Sequence, residues 1–350
     1  MPRPRIYLDH AATTPVVRQA REAMLAALER WHNPSSPHAE GRAAKAALEQ
    51  ARARVAAALG WTGHVIFTSG ASEALAIASA RAKGGRRFVS AVEHDAVFRA
   101  APDATRLPVD RNGLVEFDGV TGDRPVVAVQ HANNETGIVQ PLDRIAAEVR
   151  ARGGLLIADC AQTAGKLALP AADMVALSAH KFGGPPGVGA LLVAHLASLE
   201  AVGGQEQGYR NGTQNLPGIN AMAVALEAGS DWLADANLLR ARLERVIVAL
   251  GGEVVGADAP RISTIGAYRM RGVPAAAQLI QFDLAGIAVS AGSACSSGSL
   301  KPSHVLQALG MDDAAAGEVI RVSFGRGTTV EEVDRFTELW TEMAARRRAA

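Results

Sequence analysis

Lysine is scarce in this chain. Only Lys45, Lys83, Lys166, Lys181 and Lys301 occur among 36 Lys plus Arg residues, against 35 Asp plus Glu. The resulting net charge of +1 leaves no excess of either sign, so nothing points to a nucleic acid or a membrane surface as partner. Aromatic residues are few as well. The two cysteines, Cys160 and Cys295, can form at most one bridge. A small disulfide-stapled scaffold is therefore excluded, and a reduced, cytoplasmic chain is the expectation. No segment approaches the roughly 18–20 apolar residues of a membrane span. The first ten residues also lack the apolar stretch of a signal peptide.

What is present reads as an α/β protein. At 350 residues the chain is long enough for two domains and a large core. Short apolar runs at Val65–Phe67, Phe88–Ser90, Val126–Val129, Leu155–Ala158, Met174–Leu177 and Ala190–Val193 predict buried strands. Helices fall between them, most clearly where Leu142, Ile145, Ala146 and Val149 share one face. Thr14-Pro15 predicts an earlier helix with Pro at its first position. Such alternation implies a mainly parallel sheet covered on both faces, with ligands beyond the carboxyl ends of its strands. A long helical stretch from Pro217 to Leu250 leads into a smaller α+β domain that also takes the strand at Ile6–Leu8. The expected division is 15–237 for the larger domain, with 1–14 and 238–350 forming the smaller one.

Lys181 sits in Ser178-Ala179-His180-Lys181-Phe182-Gly183-Gly184, at the end of an apolar run with almost no charge around it. A chain that otherwise uses Arg has a Lys here. Only an amine can lose its proton and attack a carbonyl, which suggests imine chemistry. Lys166 is the rival, but without such polar companions it reads as a solvated loop residue. Asp159, at the end of Leu155–Ala158, suits a partner that must stay protonated, such as a pyridine nitrogen; it could equally cap a helix. Thr68-Ser69-Gly70-Ala71-Ser72-Glu73 follows a strand and opens a helix. It fits a phosphate site or an ordinary capping box. His94 follows another strand, where an imidazole can stack on a flat cofactor or serve the structure alone. Asn133–Gly137 reads as a polar turn. Cys160 reads as a small buried residue. Cys295 lies among Ser, Gly and Ala from Ser290 to Ser299, the setting expected for an exposed, mobile thiol that travels as a nucleophile. Arg321 and Arg326 alternate on a strand. Either could clamp a carboxylate, or both could be surface charges.

Together these segments resemble the cysteine desulfurases of the class V aminotransferase family. The motifs run in order: Tyr7-Leu8-Asp9-His10-Ala11-Ala12-Thr13-Thr14-Pro15, Asn33-Pro34-Ser35-Ser36, Gly41-Arg42, the Lys181 loop, Arg210-Asn211-Gly212-Thr213, Gly292-Ser293-Ala294-Cys295 and Arg321–Arg326. The resemblance implies the type I fold of pyridoxal-phosphate enzymes, with a seven-stranded sheet in the large domain. It implies that Lys181 holds pyridoxal 5'-phosphate covalently, with Asp159 at the ring nitrogen and Gln162 at the ring hydroxyl. Ala71, Ser72, Ser178 and His180 would hold the phosphate, with Thr213 reaching in from a second subunit of a homodimer. His94 would stack on the ring, and Asn134 and Arg321 would orient the carboxylate of L-cysteine. Cys295 would take the sulfur as a persulfide.

The sulfur would then pass to an acceptor protein, an iron-sulfur scaffold or a tRNA-thiolation protein. The chain departs from the family pattern at Ala74-Leu75-Ala76-Ile77, where Thr and Asn are more usual, and between Ile77 and Phe88, which is short. The expected C-terminal helix, Val333 to Ala349, leaves little tail for docking a scaffold. An aminotransferase or selenocysteine lyase of the same fold, or a catalytically silent sulfur-relay partner, are the alternative readings.

Overall fold

Alternate residues of the central strands point into two different cores. The structure, a computed structural model, describes residues 5–30, 32–292 and 303–349. The chain opens with β1 (Ile6–Tyr7), α1 (Arg18–Leu28) and α2 (Ala39–Ala58). It continues through β2 (His64–Thr68), α3 (Ala71–Arg81), β3 (Arg87–Ser90), α4 (Asp95–Ala100) and β4 (Thr105–Leu107). Next come β5 (Val126–Gln130), α5 (Leu142–Ala151), β6 (Leu155–Asp159), β7 (Met174–Ser178) and β8 (Gly189–Val193). The seven strands β2 to β8 form one sheet in the order β2-β8-β7-β6-β5-β3-β4, with β8 running antiparallel to both neighbours and the remaining pairings parallel.

In β7, Val175 and Leu177 face the core built with α1, α2 and α5, while Met174 and Ala176 face the one built with α3 and α4. That two-sided burial explains why these strands are apolar at every position. All six predicted strands form. The short β4, Thr-Arg-Leu, has no apolar run to announce it.

Two helix expectations need correction. Helix α1 starts at Arg18, not at Pro15, because residues 14–17 are held against the lysine loop: Thr14 N donates to the His180 carbonyl and Val17 N to that of Gly183, both at 2.9 Å. The stretch after Asn215 is two helices, α6 (Leu216–Glu227) and α7 (Leu233–Ala249). The turn between them contains Gly229 at φ 78°, a left-handed conformation that ends a helix.

The rest of the chain adds β9 (Glu253–Val254), β10 (Ile265–Arg269), α8 (Ala275–Leu284) and β11 (Ile287–Ala288). After these come α9 (His304–Ala308), α10 (Asp313–Ala316), β12 (Val319–Ser323) and α11 (Val330–Ala349). Strands β12-β10-β9 form an antiparallel sheet, and β1 pairs in parallel with β11. Leu8, Leu239, Leu243, Tyr268, Phe324 and Trp340 share a separate core, in which Phe282 and Phe336 stack at 4.6 Å. Ala236 and Leu239 both belong to this core, so the expected division at 237/238 falls inside α7. Among the described residues no helix is long and apolar enough to cross a membrane.

Candidate active site

The carboxyl ends of β2, β3, β5, β6 and β7 open onto a cleft of about 980 Å³. β7 ends at Ser178 and passes through a single 3-10 turn, Ala179–Lys181, which delivers the lysine to the cleft. Lys181 Nζ donates to the carbonyls of Ala11 at 2.6 Å and Ala12 at 3.0 Å, both on the segment after β1. Gln162 Nε2 donates to the same Ala11 oxygen at 3.0 Å, while its Oε1 is buried without a partner.

Asp159 closes β6, its Oδ1 accepting the Ala161 N–H at 2.9 Å. Burial pushes its carboxyl upward, against the pull of that N–H and of the positive charge of His94 and Lys181. His94 caps α4, its Nδ1 accepting the Ala96 N–H at 3.1 Å. Burial lowers its pKa, against the pull of the Asp159 carboxylate, and because Nδ1 accepts, the proton of the neutral ring is on Nε2. Behind this pair lies a carboxyl group that the motifs do not single out. Glu93 Oε1 accepts from Ser90 Oγ at 2.5 Å and from Gln130 N at 2.9 Å, while Oε2 has no partner. Burial pushes Glu93 up to about 8, so it is largely protonated at neutral pH.

At the other end of the cleft, Gly70, Ala71 and Ser72 present the start of the eleven-residue helix α3, with Ser178 and His180 beside them. The close approach requires glycine at 189, where a Cβ would stand 2.6 Å from Gly70 Cα. Glu73 Oε2 accepts the Ser69 N–H at 2.5 Å, one half of a capping box, while the N-cap Gly70 makes no side-chain bond. Arg210 Nε holds the other oxygen of Glu73 at 3.0 Å. His180 lies 3.2 Å from Thr13 Oγ1, and burial pushes it down to about 4. Thr213 is exposed and does not line this chain's cleft.

Arg321 is buried rather than a surface charge. Its Nη2 donates to Asp9 Oδ1 at 2.7 Å and its Nη1 to the Asn134 carbonyl at 2.9 Å, while Nε is buried without a partner. Arg326 takes no part in this cleft.

Cys295 lies outside the described residues. The segment that carries it is fastened on both sides. Ser290 pairs with Arg321 of β12 through two backbone bonds, and Gly292 lines the cleft. Downstream, Ser303 Oγ donates to Glu135 Oε2 at 2.6 Å, and His304 Nε2 lies 2.9 Å from the Glu93 carbonyl oxygen. Asp9, Glu93, Glu135 and His304 thus belong to the site's framework without having been marked by sequence. Asp9 and Glu135 at least lie inside polar motifs. Lys166 is a correction: it is not a solvated loop residue but lines a chamber beside Lys181, and burial with the Lys181 charge pushes it down to about 7.

The family profile for class-V aminotransferases matches residues 6–336. The chain belongs to that family. A cysteine desulfurase of Rhodobacter capsulatus is 38% identical over 99% of this chain and 98% of that protein. The cysteine desulfurase IscS 1 of Archaeoglobus fulgidus is 34% identical over 95% of each. Among solved structures, a NifS-like protein from Rickettsia africae superposes with a TM-score of 0.89 at 28% identity, covering 97% of this chain and 99% of that one. A structure of SspA in complex with cysteine aligns with a TM-score of 0.80 at 29% identity, over 93% of this chain and 100% of that one. The architecture of this class-V member is the type I fold of pyridoxal-phosphate enzymes.

Proposed function

We propose that the protein is a cysteine desulfurase that uses pyridoxal 5'-phosphate, taking sulfur from L-cysteine, releasing L-alanine and holding the sulfur on Cys295 as a persulfide. The observation that carries this reading is the convergence of Lys181, Asp159 and His94 on one cleft whose rim includes Gly292, three residues before Cys295.

The residues present fit that cofactor. The orphaned Gln162 Oε1 is a buried acceptor suited to a ring hydroxyl. Asp159 would take the ring nitrogen, and a protonated nitrogen there would offset the burial that raises its carboxyl. Ala71, Ser72, Ser178 and His180 would hold the phosphate at the start of α3. The partner subunit's Thr213 would complete that site; the exposure of Asn211, Gly212 and Thr213 supports a homodimer. Lys181 would hold the cofactor covalently. When bound, the cofactor draws electron density away from the substrate's α-carbon.

Asn134 and Arg321 orient the substrate carboxylate, for which Arg321 has its unpartnered Nε and the Asp9 contact to exchange. Lys181 would move the α-proton, and His94 would lie over the ring with its Nε2 proton available. The Cys295 thiolate attacks the substrate sulfur; the carbon–sulfur bond breaks, its electron pair stays on carbon and is protonated, and alanine leaves. Three peptide units from Gly292, which lines the cleft, span at most about 10–11 Å, which keeps Cys295 close to it. The persulfide then passes to an acceptor protein. Cys160 is a buried free thiol, and a thiolate carrier at Cys295 needs reducing surroundings, which favours the cytoplasm. Division into two domains, one around the seven-stranded sheet and one around the core of Leu239, Phe282 and Trp340, completes the reading.

The test is incubation of the holoenzyme with L-cysteine. Alanine should form, and the peptide bearing Cys295 should gain the mass of one sulfur atom. Cys295→Ser should keep the cofactor's visible absorbance and lose sulfur release. Full turnover by that variant would instead favour an aminotransferase or a selenocysteine lyase.

A further inference from the structure

A second chamber, of about 290 Å³, adjoins the cleft and shares Ala11, Gln162 and Lys181 with it. Its walls are largely apolar: Val17, Phe182, Ala225, Trp232, Ile265 and Phe324. Its charges are not balanced. Arg5, Lys166, Lys181 and Arg326 line it, with Glu332 the one acid among the lining residues.

All of these but Lys166 are engaged by the protein. Arg5 pairs with Asp283. Arg326 Nη2 donates to the Gly229 carbonyl at 2.6 Å, and Glu332 Oε2 accepts the Thr329 N–H at 3.0 Å. Lys181 donates to Ala11 and Ala12. The Lys166 side chain makes no hydrogen bond or ion pair with any described residue, and the charge acting on it is of its own sign, from Lys181.

A partly buried cation facing a largely apolar chamber without a counter-ion lacks a partner that most such charges have. We propose that this chamber is a second binding site, for a small organic monoanion such as a short-chain carboxylate. Its carboxylate pairs with the Lys166 ammonium, and its apolar body lies against Phe182, Trp232 and Phe324. One unengaged cation calls for one negative charge. The volume is at the small end of the range for organic ligands, about 300–1,000 Å³.

Two further observations agree. His10 is held neutral, pushed down to about 4, and lies 2.6 Å from Thr14 Oγ1 through Nδ1, so the pair adds polar capacity without charge. Lys166 itself, pushed down to about 7, is only partly charged when no anion is present. The groups facing it are Tyr7, His10, Lys181 and Glu332, with Arg5 and Arg326 permanently charged. An anion favours the charged form of Lys166, so binding near pH 8 draws in a proton.

The experiment is calorimetric titration of the holoenzyme with sodium butyrate, using 1-butanol and sodium chloride as controls, and does not depend on desulfurase activity. Butyrate should bind once per chain with proton uptake at pH 8, while 1-butanol and sodium chloride should give no binding heat. Lys166→Met should weaken binding at least tenfold while circular dichroism and cofactor absorbance stay unchanged. Lys166→Arg should retain most of the affinity. Undiminished binding by Lys166→Met, or a loss that follows Arg321→Gln instead, would place the carboxylate elsewhere and overturn the proposal, as would absence of butyrate binding.

Discussion

Lys181 and Gln162 donate to one oxygen, the carbonyl of Ala11, at 2.6 and 3.0 Å. The amine is therefore positioned by backbone from the far end of the sequence, some 170 residues away. Borohydride treatment of the holoenzyme should fix a pyridoxyl group on Lys181. Lys181→Ala should remove that label and lower kcat by about 10²–10⁴, the usual range for loss of a general base. Labelling at another lysine would refute the assignment.

Glu93 gives a pH test. Its carboxyl titrates near 8 in the folded chain and near its ordinary 4.5 when unfolded, so between those values the folded state binds the extra proton. Stability contributed at this site therefore falls as pH rises from about 4.5 to 8. Glu93→Gln cannot titrate. Urea unfolding at pH 5, 6.5 and 8 should show the variant gaining on the wild type by up to about 1.4 kcal/mol per pH unit.

Lys166 has the opposite charge and a lowered pKa. The destabilisation it causes is full below pH 7 and fades as pH rises from 7 toward its ordinary 10.5, because there the unfolded chain binds more protons. Lys166→Met should raise stability at pH 6.5, on the order of 1–3 kcal/mol, with the gain shrinking by pH 10. Thermal scans at the two pH values read this directly.

Glu206 is a buried hub. It pairs with Arg52 at 2.7 Å and accepts the Phe67 N–H at 2.8 Å and Gln214 Nε2 at 2.9 Å, joining β2 to the loop that carries Thr213. Glu206→Ala leaves Arg52 without this partner and should destabilise by about 3–5 kcal/mol in a denaturant titration. Loss of dimer in sedimentation should accompany it if that loop reaches the second subunit.

The strands were legible because apolar runs buried on both faces can hardly be read otherwise. Lys181, Asp159 and His94 could be picked out because each ends or follows such a run. What stayed hidden depends on distance. Asp9 and Arg321 are 312 residues apart, and no local pattern announces their ion pair. Lys166 looked solvated because it has no polar companions in sequence, whereas its surroundings come from α6, β10 and the segments after β1 and β12. Pro15 suggested a helix start, but hydrogen bonds to the lysine loop took the backbone elsewhere.

The bonds at Ser290 and Ser303 bear on how sulfur leaves. Ten residues separate Gly292 from Ser303, with Ser290 tied to β12 on one side and Ser303 to Glu135, after β5, on the other. On the proposed reading, the Cα of the residue carrying the sulfur lies within about 10–11 Å of the Gly292 Cα, and its side chain adds a few ångström more. On that reading, so short a leash keeps delivery close to the cleft. Any recipient has to bring its own nucleophile up to the enzyme, and selection among recipients falls to the surface around that doorway.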